Sequence, residues 1–340
     1  MRKCITTFVV IAFCLFSVFM FSGSVAAKEI KPITLSWVAG GVGGGWYVQA
    51  GGIAQLVNQK EPNITIKVVP GAGVVNPIRV ATNANDLGWG ITFIDKMALK
   101  GKPPIFKQAY PDLRSMGGVF GIYDIHFVAA KEMGISSVGE LAKMIKDGKA
   151  IKVGAPMKGT SDLPMVETIL GFYGVSLDAI TKAGGKVFNA VYADMVSLYQ
   201  DRHVDFVFTH LSIPAAAVTQ MAVSRDTTIL SLSDEAIDFC NKEIGTLSRE
   251  SGRHIIPAGT YKGLDKDVPT VVSAGELLVN KDVPEEVAYA IIKIICENVE
   301  ELYKINPANK FFVAKDGWAN VVPPLHPGAA RYYKEAGYMK

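Results

Sequence analysis

The chain has 340 residues, 49% hydrophobic and 20% charged, and its 35 basic against 32 acidic residues give a formal net charge of +3. That near-balance argues against a nucleic-acid binder, which needs a basic face, and the composition is otherwise that of an ordinary globular protein.

MRKCITTFVVIAFCLFSVFMFSGSVAA opens with Arg2 and Lys3, continues as a long apolar run and ends in small residues. Val25-Ala26-Ala27 suits signal peptidase, so residues 1–27 are expected to be a cleaved signal peptide and the mature chain periplasmic. The competing reading is a retained N-terminal anchor, since Ile5 to Phe21 approaches the length of a membrane span. Phe13 before Cys14 speaks against lipoprotein attachment. Cleavage leaves 313 residues with 33 basic and 32 acidic side chains, a formal +1. That length exceeds what one core commonly takes and suggests two lobes. Cys240 and Cys296 remain; an oxidising compartment would permit a disulfide, whereas the setting of Cys296 in AIIKIICENV is that of a small core residue. The five histidines are scattered and no zinc spacing occurs, so neither a metal nor a cofactor is expected.

From Ile33 short apolar runs alternate with helical patterns, the order of an α/β protein with mainly parallel strands. ITLSWVA (33–39) is a strand. After a run of glycines, Ala50, Ile53, Ala54 and Val57 recur at i, i+3, i+4 and i+7, one face of a helix. ITIKVV (64–69) is a second strand, PGAG turns the chain into a helix near Asn76, and DLGWGI (86–91) is a third strand. KGKPPIFKQAYP (100–111) reads as a surface loop. FGIYDIHFVAA (120–130) holds a longer extended stretch suited to passing between lobes. Ser137 and Glu140 have capping-box spacing, so a helix follows them and leads into the strand IKVGA (151–155). GTSDLPMVETILGFYG is a loop running into a helix, and VDFVFT (204–209) is a buried strand. Pro214 starts a helical segment, and HIIPAGTYKG (254–263) reads as a surface loop. PEEVAYAIIKIICENVEELYK (284–304) is the clearest helix, with Pro284 in its first turn. The expected division is residues 28–122 with about 250–340 in lobe 1 and about 123–249 in lobe 2. One crossing falls near Gly121 to Phe127 and the other between about Thr246 and Val279.

The stretch SWVAGGVGGGWYVQAGG (36–52) joins the first strand to the first helix. Such a junction offers free N–H groups at the positive end of a helix, which suits phosphate or carboxylate. The dinucleotide pattern fails because Trp46 stands where a third glycine is needed, and the Walker pattern fails because Trp46 replaces its lysine. Glycines that only permit a tight turn are the alternative. Trp46 and Tyr47 beside open amides would supply an apolar wall with a hydroxyl handle. GAGVVN (71–76), GITFID (90–95) and APMKGTSDLP (155–164) repeat the arrangement after other strands, where ligands of open α/β sheets collect.

These segments resemble the TAXI class of solute-binding proteins of TRAP transporters. The likeness spans AGGVGGGWYVQAGGIAQLV, GAGVVNPIRVATNANDLGWGI, VGAPMKGTSDLPMVETILGFYG, HIIPAGTYKGLDKDVPTV and PLHPGAARYYKEAG in order. It implies a two-lobed periplasmic-binding-protein fold that closes on a small carboxylate, such as a dicarboxylate, 2-oxo acid or glutamate-like amino acid. It further implies a monomeric receptor that delivers the ligand to TRAP integral membrane subunits and is not an enzyme. The chain departs from the class where threonine and tyrosine commonly stand and it has Gly45 and Trp46. It departs again at Gly73 or Ala72, where serine is common, and at Thr92, where the class has a glutamine-like residue.

Residue by residue, the expected ligand shell is Gly43, Gly44, Gly45, Trp46, Tyr47, Asn76, Thr92, Asp95, Thr160, Ser161, Thr209 and His210. Asp95 is read chiefly as a cap on its own helix, with an ammonium partner as the alternative. Arg79, the one arginine near these loops, is read as a surface residue. Two competing functions are an exported hydrolase or transferase using His210 and Asp162, and a receptor serving a sensor kinase. Asp194, Asp205 and His203 are weaker catalytic candidates, and no nucleophile elbow surrounds any of them.

Overall fold

The computed structural model describes residues 29–42, 44–247, 252 and 254–340; the expected signal sequence and Gly43 lie outside the described residues. The first half of the chain forms β1 (Ile33–Val38), α1 (Gly45–Lys60), β2 (Ile64–Val69), α2 (Val75–Ala81), β3 (Leu87–Ile91), α3 (Thr92–Lys100), β4 (Leu113–Ala130), α4 (Val138–Lys146), β5 (Lys152–Pro156) and α5 (Asp162–Phe172). Next come α6 (Leu177–Lys182), β6 (Lys186–Ala190), α7 (Tyr192–Gln200), β7 (Phe206–Leu211), α8 (Ala216–Ser224), β8 (Thr227–Ile229) and α9 (Asp234–Ile244). The chain finishes with β9 (Ile255–Ile256), β10 (Val268–Pro269), β11 (Val272–Asn280), α10 (Glu285–Glu297), α11 (Val299–Ile305) and α12 (Pro327–Glu335).

Nine strands make one sheet in the order β2-β1-β3-β11-β4-β7-β5-β6, with β8 added to β4. Its flanks are parallel, β1 with β2 and β3, and β5 with β6 and β7. Its centre is antiparallel, because β11 pairs with β3 and β4, and β4 with β7 and β8. The expectation of a mainly parallel sheet is thus corrected to a mixed one. The 18-residue β4 explains the difference: it pairs with β11 over Leu113–Asp124 and with β7 over Asp124–Ala129, running through both flanks.

Local sequence accounts for the elements around the cavity. β3 is buried at every residue, as a continuous apolar run in a covered sheet must be. α1 buries Ala50, Ile53, Ala54 and Val57, the expected stripe, together with Gln49 and Leu56. In α4 the Ser137 hydroxyl accepts from the Glu140 N–H (3.2 Å) while the Glu140 carboxylate accepts from the Ser137 N–H (3.0 Å).

Two expectations need correction. The helix over 284–304 breaks at Asn298, whose φ of −126° and ψ of 40° leave the helical region, and Pro284 caps α10 from outside it. The segment 254–263 is a surface loop only in part: Pro257, Ala258, Gly259, Lys262 and Gly263 are exposed, while Ile256 and Tyr261 are buried and the Tyr261 hydroxyl accepts from the Ala215 N–H at 2.9 Å.

One core packs α1, α10, α11 and α12 against β1, β3 and β4, with Phe120 stacked on Phe312 at 4.3 Å. Another packs α3, α4, α5 and α9 around Phe127, Phe206 and Phe208. Cys240 and Cys296 are free and sit in different cores, which removes the disulfide alternative.

Candidate functional site

A cavity of about 880 Å³ opens where the loops after β1, β2, β5, β6 and β7 meet. Gly40, Gly41, Gly44, Gly45, Gln49, Gly71, Ala72 and Gly73 wall it from the β1–β3 flank, joined by Asn306 and Phe311. Thr160, Ser161, Asp162, Tyr192, Val196 and the segment 210–217 wall it from the β5–β7 flank, and Tyr123 of β4 also lines it. The two flanks touch beside it. The Val74 N–H donates to the Gly159 carbonyl at 3.1 Å, and Gly73 lies so close to Ser161 that a methyl group there would stand 2.7 Å from the Ser161 Cβ.

The helix starts reveal what the wall is built to meet. Six helices begin at it: α1 after Gly44, α2 just past Gly73, α3 after Ile91, α5 after Ser161, α7 at Tyr192 and α8 after Ala215. None of the six has a side-chain cap. Gly44, Val74, Ile91, Val191 and Ala215 carry no side-chain oxygen with which to cap, and the Ser161 hydroxyl donates to Asp162 Oδ1 instead (3.3 Å). Away from the cavity α4, α6, α9 and α12 are capped by Ser137, Ser176, Ser233 and His326. α10 and α11 there carry paired glutamates in their first turns, whereas at the cavity α1, α2 and α8 have no acidic residue there and α3, α5 and α7 have one each, Asp95, Asp162 and Asp194. The first N–H groups of a helix need an acceptor, and the dipole makes an anion a favourable one.

Among the described residues no lysine or arginine lines the cavity, and the one charged side chain on its wall is Asp162. Burial pushes the Asp162 carboxyl up to about 6, against the lowering effect of the Tyr192 and Ser161 hydroxyls that donate to it. His210 is buried, its Nε2 lying 3.1 Å from the Tyr123 carbonyl and 2.9 Å from the Ser273 hydroxyl, and burial lowers it to about 4, so it is neutral at pH 7. Trp46 Nε1 donates to the Tyr123 hydroxyl at 2.7 Å, fixing the indole at the wall, and burial raises that phenol to about 12. Gln49 Nε2 donates to the Phe120 carbonyl (2.7 Å) and to Asn309 Oδ1, holding the start of α1 against the turn at Pro307–Phe311.

Of the expected shell, Gly44, Gly45, Trp46, Thr160, Ser161 and His210 line the cavity, and Gly43 lies outside the described residues. Five others are brought elsewhere. Tyr47 packs against the core that holds Ala50 and Ile53 and is not on the cavity wall. Asn76 is fully buried; its amide donates to the Ala39 and Trp89 carbonyls and its oxygen accepts from the Ala72 N–H, so it ties the loops together rather than facing a ligand. Thr92 and Thr209 are buried off the wall. Asp95 neither caps α3, whose N-cap is Ile91, nor reaches the cavity; it is fully buried beside Glu276, and burial and that neighbour raise it well above the usual carboxylate range.

The proposed Asp162–His210 pair does not pair through its side chains: the Asp162 carboxylate takes the Tyr192 and Ser161 hydroxyls and the His210 backbone, while the His210 ring Nε2 lies against the Tyr123 carbonyl and the Ser273 hydroxyl. Ser273, the serine beside His210, is fully buried off the wall. Asp194 and His203 are exposed, Asp205 pairs with Arg225 at 3.1 Å, and Arg79 donates to the Pro70 carbonyl at 3.2 Å. Sequence reasoning missed Tyr123, Tyr192 and the 211–217 wall. The apolar run after His210 held the only signal for that wall.

A family model described as "NMT1-like family" matches residues 38–337. Among solved structures the chain is similar to MatC from Rhodopseudomonas palustris with bound malate, at 12% identity, covering 89% of this chain and 98% of that one with a TM-score of 0.55. It is also similar to an R. palustris protein with adipate (14% identity, 90% and 97% covered, TM-score 0.51) and to a periplasmic transporter (10%, 89% and 94%, 0.51). Likeness at this identity establishes the fold, which is the expected two-lobed α/β fold of periplasmic binding proteins. No helix among the described residues is long and apolar enough to cross a membrane.

Proposed function

The chain belongs to the NMT1-like family, and from that premise we propose that it is a periplasmic solute-binding receptor of the TAXI class. It captures a small carboxylate and hands it, chemically unchanged, to the integral membrane subunits of a TRAP-type transporter. The single observation that supports this most is the set of uncapped helix starts around a cavity without a lysine or arginine. Amides replace a guanidinium as the carboxylate's partners. Hydrogen bonds to a charged group contribute roughly 1.5–3 kcal/mol each, so four exceed or approach the ~8 kcal/mol of a micromolar complex, less the cost of immobilisation.

Capture proceeds by closure. β4 and β11 are the strands shared by the two flanks, and as hinges they would let residues 28–122 with about 250–340 rotate against about 123–249. Contact between Gly73 and Ser161 favours the closed arrangement only when ligand bridges the flanks, since a ligand shifts an equilibrium by its differential affinity for the two states. Calorimetric titration with carboxylic acids, with the acid followed by NMR during overnight incubation, tests the reading. Saturable binding with no conversion is expected; catalytic turnover, or binding only of neutral or cationic solutes, would overturn it.

A further inference from the structure

Resting on the receptor reading, we infer that the ligand is a monocarboxylate with an apolar body, not a dicarboxylate or an amino acid. Its carboxylate meets the amides at the start of α1, on the flank opposite Asp162, and its hydrocarbon part fills the cavity toward α7 and α8.

Charge carries the first step. A second carboxylate would enter a cavity that, among the described residues, has no lysine or arginine on its wall and already holds Asp162. A buried charge without a partner is costly, and two like charges in one site disfavour each other's ionised form. Asp162 therefore acts as a specificity-determining residue, placed to repel a second anion.

The same residue is not waiting for an ammonium group. One of its oxygens accepts from the Tyr192 hydroxyl and the other from the Ser161 hydroxyl, and it stands as the first residue of α5, where the helix dipole answers its charge. An amino acid would have to compete with both hydroxyls for it.

The far wall supplies the third step. Val196, Leu211, Ile213, Ala216 and Ala217 line the space there, with Ser212 and Gln220 as the neutral polar residues among them. Pro214 has no N–H, and the Ala215 N–H is taken by the Tyr261 hydroxyl at 2.9 Å. Such a surface is rewarded by apolar area removed from water. At about 880 Å³ the cavity also falls in the upper part of the range of roughly 300–1,000 Å³ typical of sites for drug-sized ligands.

The test uses three acids that share a six-carbon chain, hexanoate, adipate and 2-aminohexanoate, with 3-phenylpropanoate and octanoate to probe the apolar end. Isothermal titration of the full mature chain is expected to find hexanoate binding at least tenfold more tightly than adipate and 2-aminohexanoate. Asp162→Asn, which keeps the side chain's shape, is expected to lower the adipate-to-hexanoate Kd ratio at least fivefold. Adipate or 2-aminohexanoate binding as tightly as hexanoate would overturn this inference while leaving the receptor reading intact, as would an unchanged ratio in a folded Asp162→Asn protein. If none of the five acids binds, the receptor reading falls with it.

Discussion

Replacing Gly73 with alanine separates ligand closure from folding. The methyl group would stand 2.7 Å from the Ser161 Cβ, 2.8 Å from its Oγ and 3.0 Å from its N. Carbon atoms pack at about 3.5–4.0 Å, so the overlap approaches an ångström and falls entirely on the opposite flank of the cavity. The backbone at Gly73 does not lie in the left-handed region, so alanine adds this contact and nothing else. Overpacking of that size costs about 1–3 kcal/mol. If it burdens only the closed state, hexanoate affinity falls between about fivefold and over a hundredfold. Melting of the unliganded protein then moves by no more than about 2 °C, as a change well under 1 kcal/mol would give. Ser161→Gly removes two of the three crowded atoms, so the double variant should bind better than the two single losses add up to, with coupling of at least about 1 kcal/mol. Calorimetric titration and differential scanning calorimetry supply the numbers. A melting temperature lowered by about 5 °C or more with unchanged affinity would refute closure between these flanks, and no change in either would refute the contact itself.

Gly44→Val is expected to weaken acid binding at least tenfold with an unchanged circular dichroism spectrum, because φ of −76° tolerates the residue while its side chain covers the start of α1 and meets the Gly41 carbonyl at 3.0 Å; an unfolded variant would assign the glycines to packing. Trp46→Phe removes the 2.7 Å bond to the Tyr123 hydroxyl and should cost about 0.5–1.5 kcal/mol in chemical denaturation, since a half-buried phenol loses its donor; no measurable loss would mean that water replaces the indole. Burial raises Glu276 to about 7, so the folded protein holds a proton that the unfolded chain releases above about pH 4.5. Its contribution is full at low pH and is lost as pH rises to 7, at up to about 1.4 kcal/mol per pH unit. Glu276→Gln should therefore gain stability relative to the parent protein from pH 5 to 7.5, and parallel stability curves over that window would count against a buried, protonated Glu276.

The sequence carried the flanks of the fold better than its centre. β1, β2, β3, β5 and β7 announce themselves as short apolar runs, and Ser137 with Glu140 marks a helix start that the structure keeps. β11 is buried along its whole length yet reads VSAGELLVN, in which Ser273, Gly275 and Glu276 interrupt the apolar run, and its antiparallel pairing turns the expected parallel sheet into a mixed one. At the site, the glycines and the hydroxyl loop 159–161 were legible because strand-to-helix junctions have a local signature. Tyr123 and Tyr192 were not, because each reaches the cavity through partners 77 and 30 residues away, Trp46 and Asp162. Asn76 and Asp95 show the reverse failure: polar residues after strands look ligand-facing in a sequence, while the first satisfies loop carbonyls and the second is buried beside Glu276.

Mass spectrometry of the small molecule released from gently purified protein tests the central claim most directly. A receptor for a small carboxylate should carry close to one equivalent of an organic acid, which rebinds the emptied protein, raises its melting temperature and is recovered unchanged after prolonged incubation. Recovery of a non-acidic solute that rebinds the emptied cavity, or conversion of the released acid by the protein, would contradict it.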